Sequence, residues 1–436
     1  MQLLNNSLSI LKQELNSKGL ESLPVIRQQV GSNIVLKCGK NKDCTVLYDN
    51  KDAIVVENDQ LKLLMTGCWG VYGKEGETQF ISPSYKSGKL VEKTEKVVFG
   101  AQSVANGMIM QGEVDGVILA GDNVYTRSIA ENEIADINKE FLTFQKEEDQ
   151  ELFMQKIKAE LHNFLEQYEL GFKKLIKNVK TKNFLVAVGN HDAKTCLNLT
   201  QEMDPKLKSD GWIFPALSYT QMFMLRNGMK VNLVFIDTNV YDFDDGEIAT
   251  LCSEYGVEDD GSLSRTSYGY TASFRKNQMA WVKQVLRENA WNILIGHIPP
   301  KMAPHKQKQS SLNKPFYDDL AELQREIAPT NKKIHLYLCA DEHNQQFVSD
   351  KIIPPIAIVG SGGNQLDPIY SSLLENKETV LYYAKKVHGF VSLDITGSSI
   401  ELVFFQTPPG GILQRGCSIS IDKVGNALVK EKCEVE

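Results

Sequence analysis

The chain has 436 residues, of which 42% are hydrophobic and 24% are charged, and its formal net charge is -7. This composition excludes a wholly disordered chain, and the negative charge argues against a protein whose main role is to coat nucleic acid. No stretch approaches the ~20 consecutive apolar residues of a transmembrane helix, so we expect no membrane span.

Residues 1–60 are predicted to form an N-terminal elaboration of the fold. An amphipathic helix would come first, because Leu4, Leu8, Leu11 and Leu15 recur at helical spacing. Short β-type runs follow at 34–38, 45–48 and 53–56. The first residues lack the basic opening and unbroken apolar stretch of a secretory signal. Three alternatives stay open: a cytosolic protein, export without a cleaved signal, or a leader that this sequence lacks.

The main domain is predicted to span residues 61–425, followed by a tail at 426–436. Seven apolar runs in this domain each lead into a turn that contains Gly, Asp, Asn or His. The runs are 61–65, 114–120, 184–188, 232–236, 292–295, 334–339 and 356–359. Because ligand sites in α/β proteins lie at the carboxyl ends of strands, we expect these turns to form one site. Alternating runs at 390–395, 400–405 and 417–421 predict further strands.

Two segments are predicted to be insertions in the main domain. Residues from about 139 to 178 carry apolar side chains at helical spacing, which favours a packed helix. Residues 241–264 are acidic and contain no Lys or Arg, which favours a solvated surface loop. The alternative for this loop is a gate that disfavours acidic substrates or recruits a basic protein partner.

Five residues on four strand-end turns have side chains that suit metal ions. They are Asp122, Tyr125, Asn190, His297 and His343. A carboxylate can bridge two cations, imidazoles suit iron, zinc or manganese, and a phenolate suits ferric iron. Two such ions clamp the attacking and leaving oxygens of a displacement at phosphorus and lower the pKa of bound water. The residues therefore predict a metal centre for phosphoryl chemistry.

The order of the motifs resembles that of the calcineurin-like metallophosphoesterases. The motifs are Gly67-Cys68-Trp69-Gly70, Gly121-Asp122-Asn123-Val124-Tyr125, Gly189-Asn190-His191-Asp192, Gly296-His297-Ile298-Pro299 and Cys339-Ala340-Asp341-Glu342-His343-Asn344. Tyr125, three residues after Asp122, narrows the resemblance to the purple acid phosphatases, among which the small tartrate-resistant type is most similar. The resemblance covers about residues 60–405. It implies an α/β (α+β) four-layer sandwich, in which two mixed β-sheets pack together between helices.

The resemblance also implies a role for each ligand residue. Asp122 would bridge two metal ions. Tyr125 and His343 would bind the first ion, which is usually ferric. Asn190 and His297 would bind the second, divalent ion. The implied cofactor is one or two metal ions, with iron plus a divalent metal (iron, zinc or manganese) as the expected pair.

The predicted function is hydrolysis of phosphate monoesters by in-line attack of a metal-bound hydroxide. The resemblance implies that His191 contacts the substrate phosphate, with Asn190 beside it, and that His305 is a candidate to protonate the leaving oxygen. The substrate would be a phosphorylated small molecule or a phosphoprotein, and no nucleic-acid partner is expected.

Two ligand positions differ from the family pattern. Cys68 stands where the family has Asp, and Asp341 stands where it has His. A thiolate is a ligand for iron or zinc, and a carboxylate allows a shift towards manganese or magnesium, so we favour retained metal binding at both positions. One alternative is a catalytically impaired scaffold that binds a protein partner through residues 1–60, 139–178 and 241–264. Another is a phosphodiesterase or nuclease of the same superfamily, against which the acidic balance and Tyr125 argue.

Cys252 and Cys339 lie where the resemblance to the mammalian small acid phosphatases implies a disulfide. A bridge at this place would favour a secreted or lumenal location, whereas reduced thiols are usual in the cytosol.

Overall fold

The computed structural model describes fifteen segments of the chain. They are residues 35–37, 43–45, 47–70, 76–86, 89–125, 167–194, 199, 201–241, 250–257, 263–269, 274–303, 312–367, 380–384, 386–408 and 412–430. The predicted N-terminal helix and His305 lie outside the described residues, as does most of the predicted helical insertion.

Strands make up most of the regular structure. The first twelve are β1 Val35–Lys37, β2 Asp43–Thr45, β3 Leu47–Tyr48, β4 Ala53–Val56, β5 Leu61–Thr66, β6 Gly76–Lys86, β7 Lys89–Phe99, β8 Gly116–Ala120, β9 Phe184–Ala187, β10 Trp212–Ile213, β11 Ser218–Leu225 and β12 Lys230–Phe235. The others are β13 Thr250–Val257, β14 Leu263–Gly269, β15 Ala290–Ile295, β16 Leu336–Cys339, β17 Gln345–Val348, β18 Ile356–Val359, β19 Val380–Ala384, β20 Gly389–Ile395, β21 Ser399–Gln406, β22 Gln414–Asp422 and β23 Ala427–Val429.

Helices are fewer in the described residues. The α-helices are α1 Ala101–Ile109, α2 Phe274–Val285 and α3 Lys314–Ile327. A π-helical turn covers Gln167–Lys173, and 3-10 turns cover Ile176–Asn178, Asp192–Lys194, Pro205–Asp210 and Asn239–Tyr241. Asn313 caps α3, because its side chain accepts the Phe316 N–H, and Pro315 follows in the first turn, where a missing N–H costs nothing. None of the described helices is long and apolar enough to cross a membrane.

The first large sheet has the strand order β10-β9-β8-β5-β20-β21-β22-β23. From β10 to β5 the strands are parallel, and from β5 onwards each pairs antiparallel with the next. Every residue of β8 and β9 is buried. Such continuous burial is typical of parallel strands that are covered on both faces.

The second large sheet has the order β19-β17-β18-β16-β15-β12-β11-β3, and β4 also pairs with β11. Its centre, from β12 through β15 and β16 to β18, is parallel. β11 and β17 pair antiparallel with this centre, and β19 pairs antiparallel with β17. Three two-stranded sheets are separate in the described residues: β1 with β2, β6 with β7, and β13 with β14.

The two large sheets pack against each other. The Tyr219 hydroxyl in β11 donates a hydrogen bond of 3.0 Å to the Val186 carbonyl in β9. The Trp291 indole in β15 donates one of 2.7 Å to the Thr396 carbonyl, just after β20. The side chains between the sheets form one continuous buried core, so the two sheets share a single hydrophobic interior.

Helices cover both outer faces. In α1, a Cβ on Gly107 would lie 2.9 Å from Phe390 of the first sheet, so this helix packs closely on β20. In α3, the Phe316 ring meets Tyr337 of the second sheet edge to face, with centroids 5.5 Å apart. The order helix, sheet, sheet, helix confirms the predicted four-layer sandwich of two mixed sheets.

All seven predicted apolar runs form strands, but three other predictions need correction. The acidic segment 241–264, predicted as a loop, includes β13 and the start of β14. The acidic composition favoured a loop, but only Glu254 among the acidic residues lies within a strand. The strands themselves contain Thr, Tyr, Val and Leu, which supply β propensity. Residues 47–56, predicted as part of an N-terminal elaboration, supply β3 and β4 to the second sheet of the main domain. β23 pairs with β22 beyond the predicted domain end at 425.

Candidate metal centre

The predicted ligand residues lie on loops at the carboxyl ends of five strands. Cys68 follows β5, Asp122 and Tyr125 follow β8, Asn190 follows β9, His297 follows β15, and Asp341 and His343 follow β16. Three of these strands belong to the first sheet and two to the second. Their carboxyl ends meet at one edge of the sandwich, and the polar side chains gather there.

Three of these residues share an unusual backbone conformation. Cys68, Asp122 and Asp341 have positive φ angles of 54°, 53° and 61°, and each stands two residues after its strand. Few residues other than Gly, Asn and Asp adopt this left-handed conformation, and it is often found at functional sites. The Cys68 N–H donates to the Gly121 carbonyl at 3.0 Å, which ties the loop after β5 to the loop after β8.

The first group of side chains, which we call the first cluster, consists of Cys68, Asp122, Tyr125 and His343. The Cys68 Sγ, an Asp122 carboxylate oxygen and a His343 ring nitrogen lie within 4.8 Å of one another. The Tyr125 hydroxyl is 3.2 Å from His343 Nε2, and it also hydrogen-bonds to Cys68 and Asp122. Sulfur, carboxylate, hydroxyl and imidazole therefore face a common point.

The second cluster consists of Asp122, His297 and Asp341, and Asn190 is the fourth predicted ligand. Gly189, the residue before Asn190, lies close against Asp122. His297 Nε2 lies 3.2 Å from Asp122 Oδ1 and 3.6 Å from Asp341 Oδ1. Ligands held at ~2.1 Å around a tetrahedral ion are about 3.4 Å apart, so this spacing suits a shared cation.

Two buried atoms among the residues predicted to bind the second ion support this fit. Neither His297 Nε2 nor Asn190 Oδ1 has a hydrogen-bond partner among the described residues, although both atoms are buried. Buried polar atoms are normally hydrogen-bonded, and an exception in a native structure calls for an explanation such as an ion. The residues present therefore fit a metal ion.

Backbone carbonyls orient both imidazoles. The Nδ1 atom of His297 lies 2.8 Å from the Ala120 carbonyl, and that of His343 lies 2.8 Å from the Gln365 carbonyl. A carbonyl can only accept a hydrogen bond, so the proton of each neutral ring is on Nδ1. The Nε2 lone pairs then face the two clusters, as metal-binding histidines require.

The electrostatics of the two clusters favour a cation. Burial, followed by the Asp122 and Asp341 carboxylates, raises the pKa of the Cys68 thiol well above its usual value. Burial and Asp122 raise the pKa of Tyr125 in the same way. Burial lowers the pKa of His297, but Asp122 and Asp341 outweigh it and raise that pKa to about 10. A cation among these groups would favour the thiolate, the phenolate and the neutral imidazole instead.

The site opens to solvent on one side. Cys68, Asp122 and His297 are almost completely buried, whereas the side chains of Asp341 and His343 are 29% and 18% exposed. His191 is also part-exposed, and its ring lies against Tyr125 with centroids 4.4 Å apart. Its backbone N–H donates to Asp122 Oδ1 at 3.0 Å. His191 thus stands at the open side, while His305 falls outside the described residues.

A buried polar network behind the site was not predicted from the sequence. The Asn123 amide donates to Asp192 Oδ2 at 3.0 Å and to Glu202 Oε2 at 3.1 Å, and it accepts from the Trp69 indole at 3.0 Å. Burial and the Asp122 charge raise the pKa of Asp192 to about 7, and burial and Asp192 raise that of Glu202. Asn123 and Asp192 lie in motifs, but nothing in the sequence around Glu202 indicates its place.

The structure contradicts the Cys252–Cys339 disulfide that the resemblance implies. Cys339 is a free, buried cysteine at the end of β16. Its Sγ lies 3.8 Å from the Ala357 carbonyl of the adjacent strand β18, inside the second sheet. Of the two states left open by the sequence, the structure therefore shows the reduced thiol at Cys339.

Comparison with known proteins agrees with the motifs. A family model described as calcineurin-like phosphoesterase matches residues 91–345, which is more than half of the chain. Tartrate-resistant acid phosphatase type 5 of Sus scrofa is 23% identical over 231 residues. That alignment covers 51% of this chain and 60% of the relative, so the chain spans less than two thirds of that relative's length.

Solved structures of low identity align with part of the chain. "GAP50 the anchor in the inner membrane complex of Plasmodium" is 13% identical with a TM-score of 0.47, covering 82% of this chain and 88% of that one. The purple acid phosphatase PPD1 from yellow lupin (Lupinus luteus) seeds is 12% identical with a TM-score of 0.47, covering 84% of this chain and 54% of that one.

The family match contains every predicted ligand residue except Cys68. The motifs, the family match and the acid phosphatase relative confirm the resemblance inferred from the sequence. The chain belongs to the calcineurin-like phosphoesterase family.

Proposed function

We propose that the protein hydrolyses phosphate monoesters with two metal ions. One observation carries the proposal: two clusters of metal-binding side chains adjoin and share Asp122. Phosphoester hydrolysis at a metal centre is the chemistry of the family, and the acid phosphatase relative favours monoesters within it.

Each cluster would hold one ion. Cys68, Tyr125 and His343 would hold the first ion, the second cluster would hold the other, and the Asp122 carboxylate would lie between them. The bound ions would supply a nucleophile at neutral pH and offset the charge on the phosphoryl oxygens. The predicted metals are iron plus a divalent ion, and the carboxylate at Asp341 favours manganese or magnesium at the second position.

Residues at the open side would bind the phosphate. The His191 imidazole would donate a hydrogen bond to a phosphoryl oxygen, and its contact with Tyr125 limits the ring's freedom. The Asn190 amide nitrogen would donate to the phosphate, and its buried oxygen, which has no hydrogen-bond partner among the described residues, would bind the second ion. His305 is proposed to protonate the leaving oxygen. A phosphorylated small molecule or a phosphoprotein is the proposed substrate.

Turnover by chelator-treated protein tests the proposal. The protein is reloaded with iron, zinc, manganese or magnesium, alone and in pairs, and p-nitrophenyl phosphate and its bis ester are compared across pH. We expect metal-dependent hydrolysis, faster for the monoester. His191→Ala should lower kcat/KM by about 10²-fold, the lower range for loss of one transition-state donor. Asp394→Asn, which changes a carboxylate of β20 that hydrogen-bonds to Gln60, should have no effect.

Two outcomes would contradict the proposal. A protein that binds metal but hydrolyses neither ester with any ion would be a scaffold for a protein partner. Faster cleavage of the bis ester would make it a phosphodiesterase.

A further inference from the structure

We infer that the first cluster selects a thiophilic divalent ion, of the zinc type, through a direct bond to the Cys68 thiolate. The inference rests on the proposed metal centre, and it names the class of ion that one of the two positions takes. It departs from the ferric ion that the resemblance implies.

The surroundings of Cys68 argue that its thiol is a ligand. A structural buried cysteine usually packs among apolar atoms and is chemically inert. Cys68 is 0% exposed, but its Sγ faces the Asp122 carboxylate, the Tyr125 hydroxyl and the His343 imidazole. A cysteine kept only for packing would face apolar atoms. This Sγ instead faces a carboxylate and an imidazole, whose burial costs free energy unless a partner or an ion compensates for the lost water.

The backbone aims the thiol at this cluster. Cys68 keeps a φ of 54°, a conformation that costs energy for a residue with a Cβ. Two backbone hydrogen bonds hold it: the Cys68 N–H donates to Gly121 at 3.0 Å, and the Asn364 N–H donates to the Cys68 carbonyl at 3.1 Å. Because the loop is fixed by its backbone, the side chain projects from the carboxyl end of β5 into the space that the other ligands share.

The two clusters differ in softness. The first offers a sulfur, an imidazole nitrogen and two oxygens, a four-donor set of the kind that zinc takes in tetrahedral sites. The second offers carboxylate oxygens from Asp122 and Asp341 and one nitrogen from His297, and the Asn190 oxygen would be its further donor. Soft thiolate selects zinc-type ions, whereas oxygen ligands suit manganese and magnesium. The chain therefore separates two kinds of ion by ligand chemistry.

The absorption spectrum of the cobalt(II)-loaded protein tests directly for a bond between the metal and the Cys68 thiolate. A thiolate bound to cobalt(II) gives a sulfur-to-metal charge-transfer band in the near ultraviolet, which oxygen and nitrogen ligands do not give. Metal-free full-length protein titrated with cobalt(II) should develop the band, and both Cys68→Ser and Cys68→Asp should lack it. Cys339→Ser is the matched control and should keep the band, because that buried thiol faces the Ala357 carbonyl instead.

Zinc affinity gives a second readout. Competition with a chromophoric chelator should show zinc binding weakened in Cys68→Ser by at least the ~10-fold to 100-fold that loss of an outer-shell partner costs. Cys68→Asp should move the preference from zinc towards manganese. Circular dichroism checks that each variant is folded. If the Ser variant unfolds, the Asp variant decides the question, because Asp tolerates a left-handed backbone.

Three results would overturn the inference: no charge-transfer band in the unmodified protein, a band that survives loss of Cys68, or equal zinc affinity in all variants. None of these readouts requires turnover. A cobalt–thiolate band without phosphatase activity would remove only the proposed function, and activity without the band would remove only this inference.

Discussion

His335 should make the fold sensitive to mild acid. This residue stands just before β16, at the opposite end of that strand from the loop that carries Asp341 and His343, and it is 5% exposed. Its Nδ1 accepts the Asn292 N–H at 3.2 Å, and its ring meets Trp291 with centroids 4.6 Å apart. Burial, followed by the positive charge of Lys423, lowers its pKa from 6.5 to about 4.

The sign of the effect follows from proton binding. Between these two pKa values the unfolded chain takes up a proton at His335 that the folded chain does not take up. Lowering the pH through this window therefore favours unfolding, and raising it restores stability. Moving from about pH 7.5 to about pH 5 should cost about 2 kcal/mol of unfolding free energy from this one group.

Urea unfolding of the metal-free protein at a series of pH values measures this cost. His335→Asn keeps an acceptor for the Asn292 N–H but does not titrate, so its stability should fall by about 2 kcal/mol less than that of the unmodified chain over the same range. Lys423→Gln should give an intermediate result, because it removes the second cause of the lowered pKa. Parallel stability profiles for all three proteins would refute the reasoning.

Substitutions at three further residues test the site and its surroundings. Asp122→Asn removes the carboxylate that both clusters share, and monoester turnover should fall by about 10³-fold, since several kcal/mol of charge stabilisation depend on the bound ions; turnover within tenfold of normal would contradict the shared position. Glu202→Gln should change the unfolding free energy at pH 7 by less than about 0.5 kcal/mol, because burial favours the neutral carboxyl that Gln imitates. Glu202→Ala should cost at least about 2 kcal/mol in the same urea assay. Equal losses for the two variants would show that the charge of Glu202 matters. Gly189→Ala would place a Cβ 2.1 Å from the Asp122 nitrogen and 2.3 Å from its Oδ1, so both cobalt binding and the thermal midpoint should fall, and an unchanged midpoint would show that the loop has room.

The position of the site was predictable from the sequence because buried strands and the turns after them have distinct compositions. β8, which precedes Asp122, contains no polar side chain and is buried at every residue. β15, which precedes His297, is also buried at every residue, although it contains Asn292. Gly-Asp and Gly-His then mark where each strand meets the open edge, so residues distant in sequence could be assigned to one place.

The support of the site was not predictable to the same extent. The carbonyls of Ala120 and Gln365 that orient the two imidazoles could belong to any residue type, so they leave no trace in composition. Glu202 reaches Asn123 across 79 positions of sequence, and its own neighbourhood resembles no motif. The state of Cys339 was not predictable either. The resemblance implies a disulfide with Cys252, but the sequence does not show whether the two sulfur atoms meet, and Cys339 is free in the structure.

The left-handed turns at positions 68 and 341 have a consequence for how this scaffold can change. Main-chain hydrogen bonds hold the first of these turns, so exchanging its side chain leaves the supporting bonds in place. A single replacement at such a position would change the set of ligand atoms in the pocket while every strand stays where it was. The metal preference of this chain could therefore change through single replacements in the loops at the carboxyl ends of the strands, while the buried core stays the same.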